Sequence, residues 1–198
     1  SSPEEGTGFC PPVPWRPDFE RECHLAGRAF WVHRGAGVTP FPCDANQPLT
    51  VVEWRHQVEG YRVVDDHASP LLDELKRAFP HGRLVSLALD NPEEAFPLSG
   101  DQPLLLALYH RSGSRARAQA RGVQRLLNHC PRAALALLES PYPLRDWPQA
   151  RLAVCTFGFR RAQIRALFAF LSGKGPQPEG RLPVSRVGVW GRRGAETP

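Results

Sequence analysis

Two short segments carry the side chains best able to meet a ligand, Tyr109-His110-Arg111 and Ser140-Pro141-Tyr142-Pro143-Leu144. Each follows an apolar run that reads as a strand, so both belong at one sheet edge and can face a substrate or a partner. The alternative readings are helix capping and solvent exposure for the first segment, and a rigid proline-fixed turn with a packed Tyr142 for the second. No convergent nucleophile and base can be named in the chain, and Gly-x-Ser-x-Gly is missing, which removes the usual α/β-hydrolase elbow. Asp65-Asp66-His67 is a metal cluster by residue type alone, because consecutive positions of a polar loop rarely converge on one ion. The five cysteines, Cys10, Cys23, Cys43, Cys130 and Cys155, contain no C-x-x-C pair and give neither zinc-ligand spacing nor a disulfide framework. Cys155, inside Leu152-Ala153-Val154-Cys155, reads as a buried small hydrophobe. Catalytic residues, metal ligands and cofactors are all expected to be none. Gly35-Ala36-Gly37 precedes a proline-rich stretch and opens no helix, so it is no nucleotide fingerprint. Arg111, Arg115, Arg117, Arg121 and Arg125 form the densest basic stretch and could contact phosphates. Without interleaved aromatic rings they read as a solvated helix face, and nucleic acid is not an expected partner.

The elements that must position these residues alternate regularly. Leu49 to Trp54, Arg83 to Leu89, Pro103 to Tyr109, Ala133 to Leu138 and Arg151 to Phe157 read as strands, several of them near-continuous apolar runs suited to burial on both faces. Between them, Ser69-Pro70 opens a helix with Leu71, Leu72, Leu75 and Phe79 on its inner face, Ser69 as the N-cap and Pro80 beyond its end. Ser114 to Cys130 is a second helix, with Ala116, Ala120, Val123, Leu126 and Leu127 facing inward. Arg161 to Leu171 is a third, with Ile164, Leu167, Phe168 and Leu171 as its apolar stripe and Ser172-Gly173-Lys174-Gly175 closing it. A short helix over Glu20 to Ala29 and a short strand over Phe30 to Val32 precede this series. Strands alternating with helices over short connections imply an α/β fold: a three-layer α/β/α sandwich with a mostly parallel sheet of about five or six strands.

The ordered set formed by the fourth strand, the Ser140 to Leu144 segment, Asp146-Trp147-Pro148, a strand ending Thr156-Phe157-Gly158, a helix ending Leu171-Ser172-Gly173, and Gly180-Arg181-Leu182-Pro183-Val184 resembles the C-terminal domain of glycoside hydrolase family 3. The likeness is to its β-N-acetylhexosaminidase branch; it is strong from about Leu104 to Val187, extends in weaker form from Arg21 through the second strand, and does not reach the residues before that. Phe157 stands where that branch commonly has tyrosine, and Pro143 stands where it often has aspartate. The resemblance implies a retaining glycosidase acting on terminal N-acetylglucosaminides, whose reacting groups lie in an N-terminal (β/α)-barrel. This chain has nothing like the family's histidine-bearing loop, and it is too short for a barrel of roughly 250 residues. The resemblance therefore implies the half that performs no chemistry. Tyr109, His110, Arg111, Ser140 and Tyr142 would line the rim of the sugar site or the interdomain contact. The implied partners are the barrel and an amino sugar or glycan, with a homodimer when the domain is isolated and its barrel-facing surface uncovered. The alternative is a stand-alone interaction or carbohydrate-binding module with the same fold.

Length and composition agree with one domain. The chain has 198 residues, enough for one core, and no run of about 18 apolar residues that could span a membrane. Residues 1–20 read as a proline-rich linker or extended segment, 21–190 as the α/β sandwich and 191–198 as a flexible tail. The absence of methionine, even at position 1, suggests a trimmed chain or a fragment of something longer. A net charge of +5 favours solubility. The start Ser1-Ser2-Pro3 argues against a retained secretory signal and the cysteines suggest a reducing setting, so a cytoplasmic location is expected for the chain, while the parent protein could be exported.

Overall fold

A computed structural model describes residues 18–35, 41–55, 70–98 and 102–182. Asp65, Asp66, His67, Ser69, Pro183, Val184, most of the proline-rich start and the expected tail lie outside these residues.

Six strands form one sheet: β1 (Trp31–Arg34), β2 (Thr50–Arg55), β3 (Arg83–Ala88), β4 (Leu104–Leu108), β5 (Ala134–Leu137) and β6 (Leu152–Cys155), in the order β1-β6-β5-β4-β2-β3. All neighbouring pairs run parallel except β1 with β6. Four α-helices lie among the described residues: α1 (Phe19–Ala29), α2 (Pro70–Ala78), α3 (Gly113–His129) and α4 (Arg161–Leu171). This is the α/β sandwich with a mostly parallel six-stranded sheet expected from the sequence.

Side-chain alternation along the strands builds two cores. Val51, Leu105, Ala107, Ala134, Ala136, Leu138, Leu152 and Val154 meet Leu71 and Leu75 of α2 and Ile164, Leu167, Phe168 and Leu171 of α4. Their neighbours Val52, Trp54, Leu104, Leu106, Leu108, Leu135 and Leu137 meet Ala118, Val123, Leu126 and Leu127 of α3. The alanines on the first face let helices approach closely, whereas the large leucines and Trp54 on the second fill the space over one helix.

Local signals set the helix ends. Asp18 accepts the Arg21 N–H at 3.0 Å and caps α1, with Glu20 and Glu22 in its first turn and Arg28 in its last. Gly173, at φ +74°, ends α4 in the left-handed region that suits glycine. Gly180 explains the start of Gly180-Arg181-Leu182: a methyl there would overlap the carbonyl oxygens of Ala29 and Phe30. Its N–H donates to the Phe30 carbonyl at 3.1 Å, and Glu179 donates to the Arg28 carbonyl at 2.7 Å, so this segment is stitched to the α1–β1 junction.

Two helices are rotated from their expected faces. Leu72, expected inside, is 44% exposed, and Glu74 is buried in its stead because α4 brings Arg161 and Arg165 to its carboxylate. In α3, Ala116 and Ala120 are half-buried, and Ala118, Gln119 and Gly122 face inward with Val123, Leu126 and Leu127. The close approach of Gly122 to Trp54 fixes that rotation.

Candidate functional site

The carboxyl ends of the parallel strands form the edge at which every candidate residue lies. After β2 the chain goes to β3 on one side and then to β4 on the other, so β2 and β4 flank a topological switch point, the place where open parallel sheets receive ligands. In this protein its own side chains close that crevice. Tyr109 Oη donates to Glu53 Oε2 at 3.3 Å, and Arg111 Nη2 donates to the Trp54 carbonyl at 2.9 Å, so both residues after β4 are pinned across to β2. The Arg111 guanidinium lies 5.6 Å from the centre of the Tyr109 ring, and the Phe159 ring meets Tyr109 edge-on at 5.7 Å.

Glu53 anchors this arrangement. It is fully buried in β2, and its Oε1 accepts from Arg55 Nε at 2.7 Å and Ser86 Oγ at 2.8 Å, while Oε2 takes the Tyr109 hydroxyl. A buried carboxylate holding three donors is a positioning group, with its lone pairs committed and no access to a sugar.

The loops after β5 and β6 complete the edge. Glu139 Oε2 accepts the His110 backbone N–H at 2.6 Å, which ties the β4 loop to the β5 loop and leaves the imidazole exposed. Ser140 Oγ accepts the Tyr142 N–H at 3.3 Å and starts a 3-10 turn over Tyr142–Asp146, whose Leu144 is buried together with the following Trp147. Tyr142, expected as a packed hinge in the competing reading, is 51% exposed. The prolines fix the turn, and Tyr142 stays about half exposed on it.

After β6 the backbone is strained. Phe157 has φ +53°, a left-handed conformation that disfavours a residue with a Cβ by about 1–2 kcal/mol. Thr156 holds it there: its hydroxyl donates to carbonyl oxygen, with the Leu138 oxygen at 3.0 Å and the Gly158 oxygen at 2.6 Å. Strain of this kind collects at functional sites. Its result is that Phe157 and Phe159 both stand partly in solvent, so among the described residues three of the five exposed large apolar side chains, these two and Tyr142, crowd one sheet edge.

Tyr109, His110, Arg111, Ser140 and Tyr142 thus come together as their positions along the strands require, and Glu53, Glu139, Thr156, Phe157 and Phe159 join them. Of these additions only Glu53 leaves a clear trace in sequence, as a lone acid inside the apolar run of β2. Cys155, just below the edge, is buried, and burial pushes its thiol up to about 11 against a smaller lowering by a backbone hydrogen bond at Phe157. It is a packing residue and not a thiolate nucleophile. Among the described residues no group of three or more His, Cys, Asp or Glu could hold a metal ion, and no helix is long and apolar enough to cross a membrane.

No family model and no curated protein matches the sequence. Solved structures do. A glycoside hydrolase family 3 β-N-acetylglucosaminidase from Paenibacillus sp. str. FPU-7 superposes at TM-score 0.60 and 15% identity, over 88% of this chain and 34% of that one. A fungal multi-domain family 3 β-N-acetylglucosaminidase follows at 0.59 and 17%, over 82% and 18%. A family 3 β-glucosidase from Neurospora crassa gives 0.53 and 12%, over 79% and 24%. The fold is that of a partial domain of family 3 glycoside hydrolases. The chain spans about a third or less of the length of these family 3 proteins. On this family 3 fold, the loops after β4, β5 and β6 supply the rings and the polar groups gathered at the carboxyl edge.

Proposed function

We propose that this chain is the non-catalytic C-terminal domain of a family 3 glycosidase of the β-N-acetylhexosaminidase branch, which hydrolyses terminal N-acetylglucosaminides as an intact protein. Its carboxyl edge packs against a (β/α)-barrel that carries the reacting groups, and Tyr142, His110 and Ser140 complete the rim of the sugar site. The observation that carries this reading is the convergence, on one edge, of exposed rings held by a strained backbone and by cross-strand hydrogen bonds. A surface built to that standard meets a partner or a ligand. Glu53 supports the division of labour, since its carboxylate is committed to three donors within this domain.

The size of the natural gene product tests the proposal. A polypeptide longer by roughly 250 residues, the size of a barrel, is expected, and it should cleave a chromogenic N-acetyl-β-glucosaminide faster than the matching glucoside. A gene product no longer than this chain would remove the barrel and leave the stand-alone module in its place.

A further inference from the structure

We propose that the solvent face of α3 is a docking surface for an anionic polysaccharide, a linear base-free polymer carrying sulfate, phosphate or carboxylate groups. This goes beyond the accessory role above and does not depend on it. α3 contains Arg115, Arg117, Arg121 and Arg125 and no acidic residue in its 17 positions. Arg115, Arg117 and Arg121 are exposed and Arg125 is half-buried, while Ala118, Gln119, Gly122, Val123, Leu126 and Leu127 face the core.

Two of these choices work against the helix itself. Arg115 sits in the first turn, where the helix dipole favours an anion and no acid is present. Arg117, Arg121 and Arg125 follow at i, i+4 and i+8, so successive guanidinium groups repel. Compensation within the described residues is thin: Glu93 lies 3.4 Å from Arg121, and Glu94 shares a shallow depression with Arg125. α4 carries the same pattern, with Arg161 in its first turn and Arg165 at i+4, but there the buried Glu74 meets them at 2.6 and 2.8 Å. Like charges on one helix that lack such a buried counter-ion mark positions kept for another purpose.

The shape of the stripe narrows the occupant. Each i+4 step advances about 6 Å along the helix, so Arg117, Arg121 and Arg125 form a line suited to a chain of regularly spaced anions. Arg115, about 200° round the helix from Arg117, stands off that line at the N-terminal end. Gln124 and Asn128, exposed on the same side and bonded to each other at 2.8 Å, add amide groups that can meet hydroxyls. No aromatic residue occurs on α3, which leaves no platform for stacked bases. Because α3 follows β4, its N-terminal end opens at the carboxyl edge, and a polymer lying along the helix is led toward the loops bearing His110 and Tyr142.

Salt-gradient retention on immobilised heparin and on immobilised polygalacturonate tests the proposal, using the full chain, the variant R115Q/R117Q/R121Q/R125Q, and a control R21Q/R34Q/K76Q/K174Q that removes equal charge from other exposed positions. The wild type and the control are expected to hold beyond about 0.3 M NaCl on at least one matrix, with the α3 variant eluting at least ~0.1 M earlier and a shallower dependence of affinity on salt. Retention on heparin alone indicates sulfate- or phosphate-like groups, and retention on polygalacturonate alone indicates carboxylates; both support the surface. The α3 variant should melt no lower than the wild type, since it relieves repulsion. Equal shifts for both variants, elution of the wild type near physiological salt from both matrices, or tighter binding to an oligo-dT strand than to either polysaccharide would overturn the proposal.

Discussion

Trp54 and Gly122 show how single residues set the position of larger parts. The Trp54 indole N–H donates to the Pro92 carbonyl at 3.0 Å, in the buried space beside the Cα of Gly122. A methyl at Gly122 would collide with both the ring nitrogen and that carbonyl. Gly122→Ala should therefore break the bond and overpack the core, a loss of roughly 2–4 kcal/mol. Thermal unfolding should shift down by roughly 5–10 °C; an unchanged melt would contradict the placement of α3. Helical periodicity did point to α3, yet its inward residues were not fully legible in sequence. An alanine is a better apolar candidate than a glycine or Gln119 until the neighbouring tryptophan is known. The same limit applies at Phe157, whose exposure follows from a backbone angle and from hydrogen bonds of Thr156 that no local pattern encodes.

At the scale of elements, Glu74 ties three helices together. Its buried carboxylate on α2 receives Arg161 Nε at 2.6 Å and Arg165 Nε at 2.8 Å from α4, and Arg165 also reaches Glu20 of α1 at 3.2 Å and lies 4.3 Å from the centre of the Phe19 ring. Burial pushes the Glu74 acid up, but the hydrogen bonds and charges of Arg165 and Arg161 more than offset it and hold the group below its ordinary 4.5. The folded state thus binds this proton less readily than the unfolded chain. Its stabilisation is fully present above pH 4.5 and is lost as the pH falls through the lower folded value. Glu74→Gln should cost about 2–4 kcal/mol in a urea melt at pH 7, less than a fully enclosed pair because Arg161 is largely in solvent. The difference from wild type should shrink below pH 4. A difference that persists at low pH would assign the effect to packing and not to charge. The sequence showed α4 over the bounds the structure has, Arg161–Leu171, because its apolar stripe is unbroken and glycine follows it. The ion pair across to α2 was not legible, since it joins positions 87 residues apart, and that pair is what turns Leu72 outward.

For the whole molecule, the alternation of strands and helices was enough to read an α/β sandwich, because a parallel sheet requires helical crossovers and buries its strands on both faces. The antiparallel pairing of β1 with β6 was beyond reach, as four residues carry no signal of direction. Likewise the gathering of Tyr109 to Arg111 with Ser140 and Tyr142 follows from strand order, whereas the role of Glu53 as their anchor needed the pairing of β2 with β4. In the proposed account, the exposed Tyr142, Phe157 and Phe159 belong to a covered interface in the intact protein. The isolated chain should then self-associate, and light scattering at high concentration should give about twice the 22.1 kDa of one copy. A monomer that persists at high concentration would contradict an apolar interdomain face. The central claim, that this fold positions and covers a sugar site without performing the chemistry, is tested most directly by incubating the purified chain with a chromogenic N-acetyl-β-glucosaminide. No release of chromophore above the uncatalysed rate is expected, and turnover that stays with the protein through successive purification steps would contradict it.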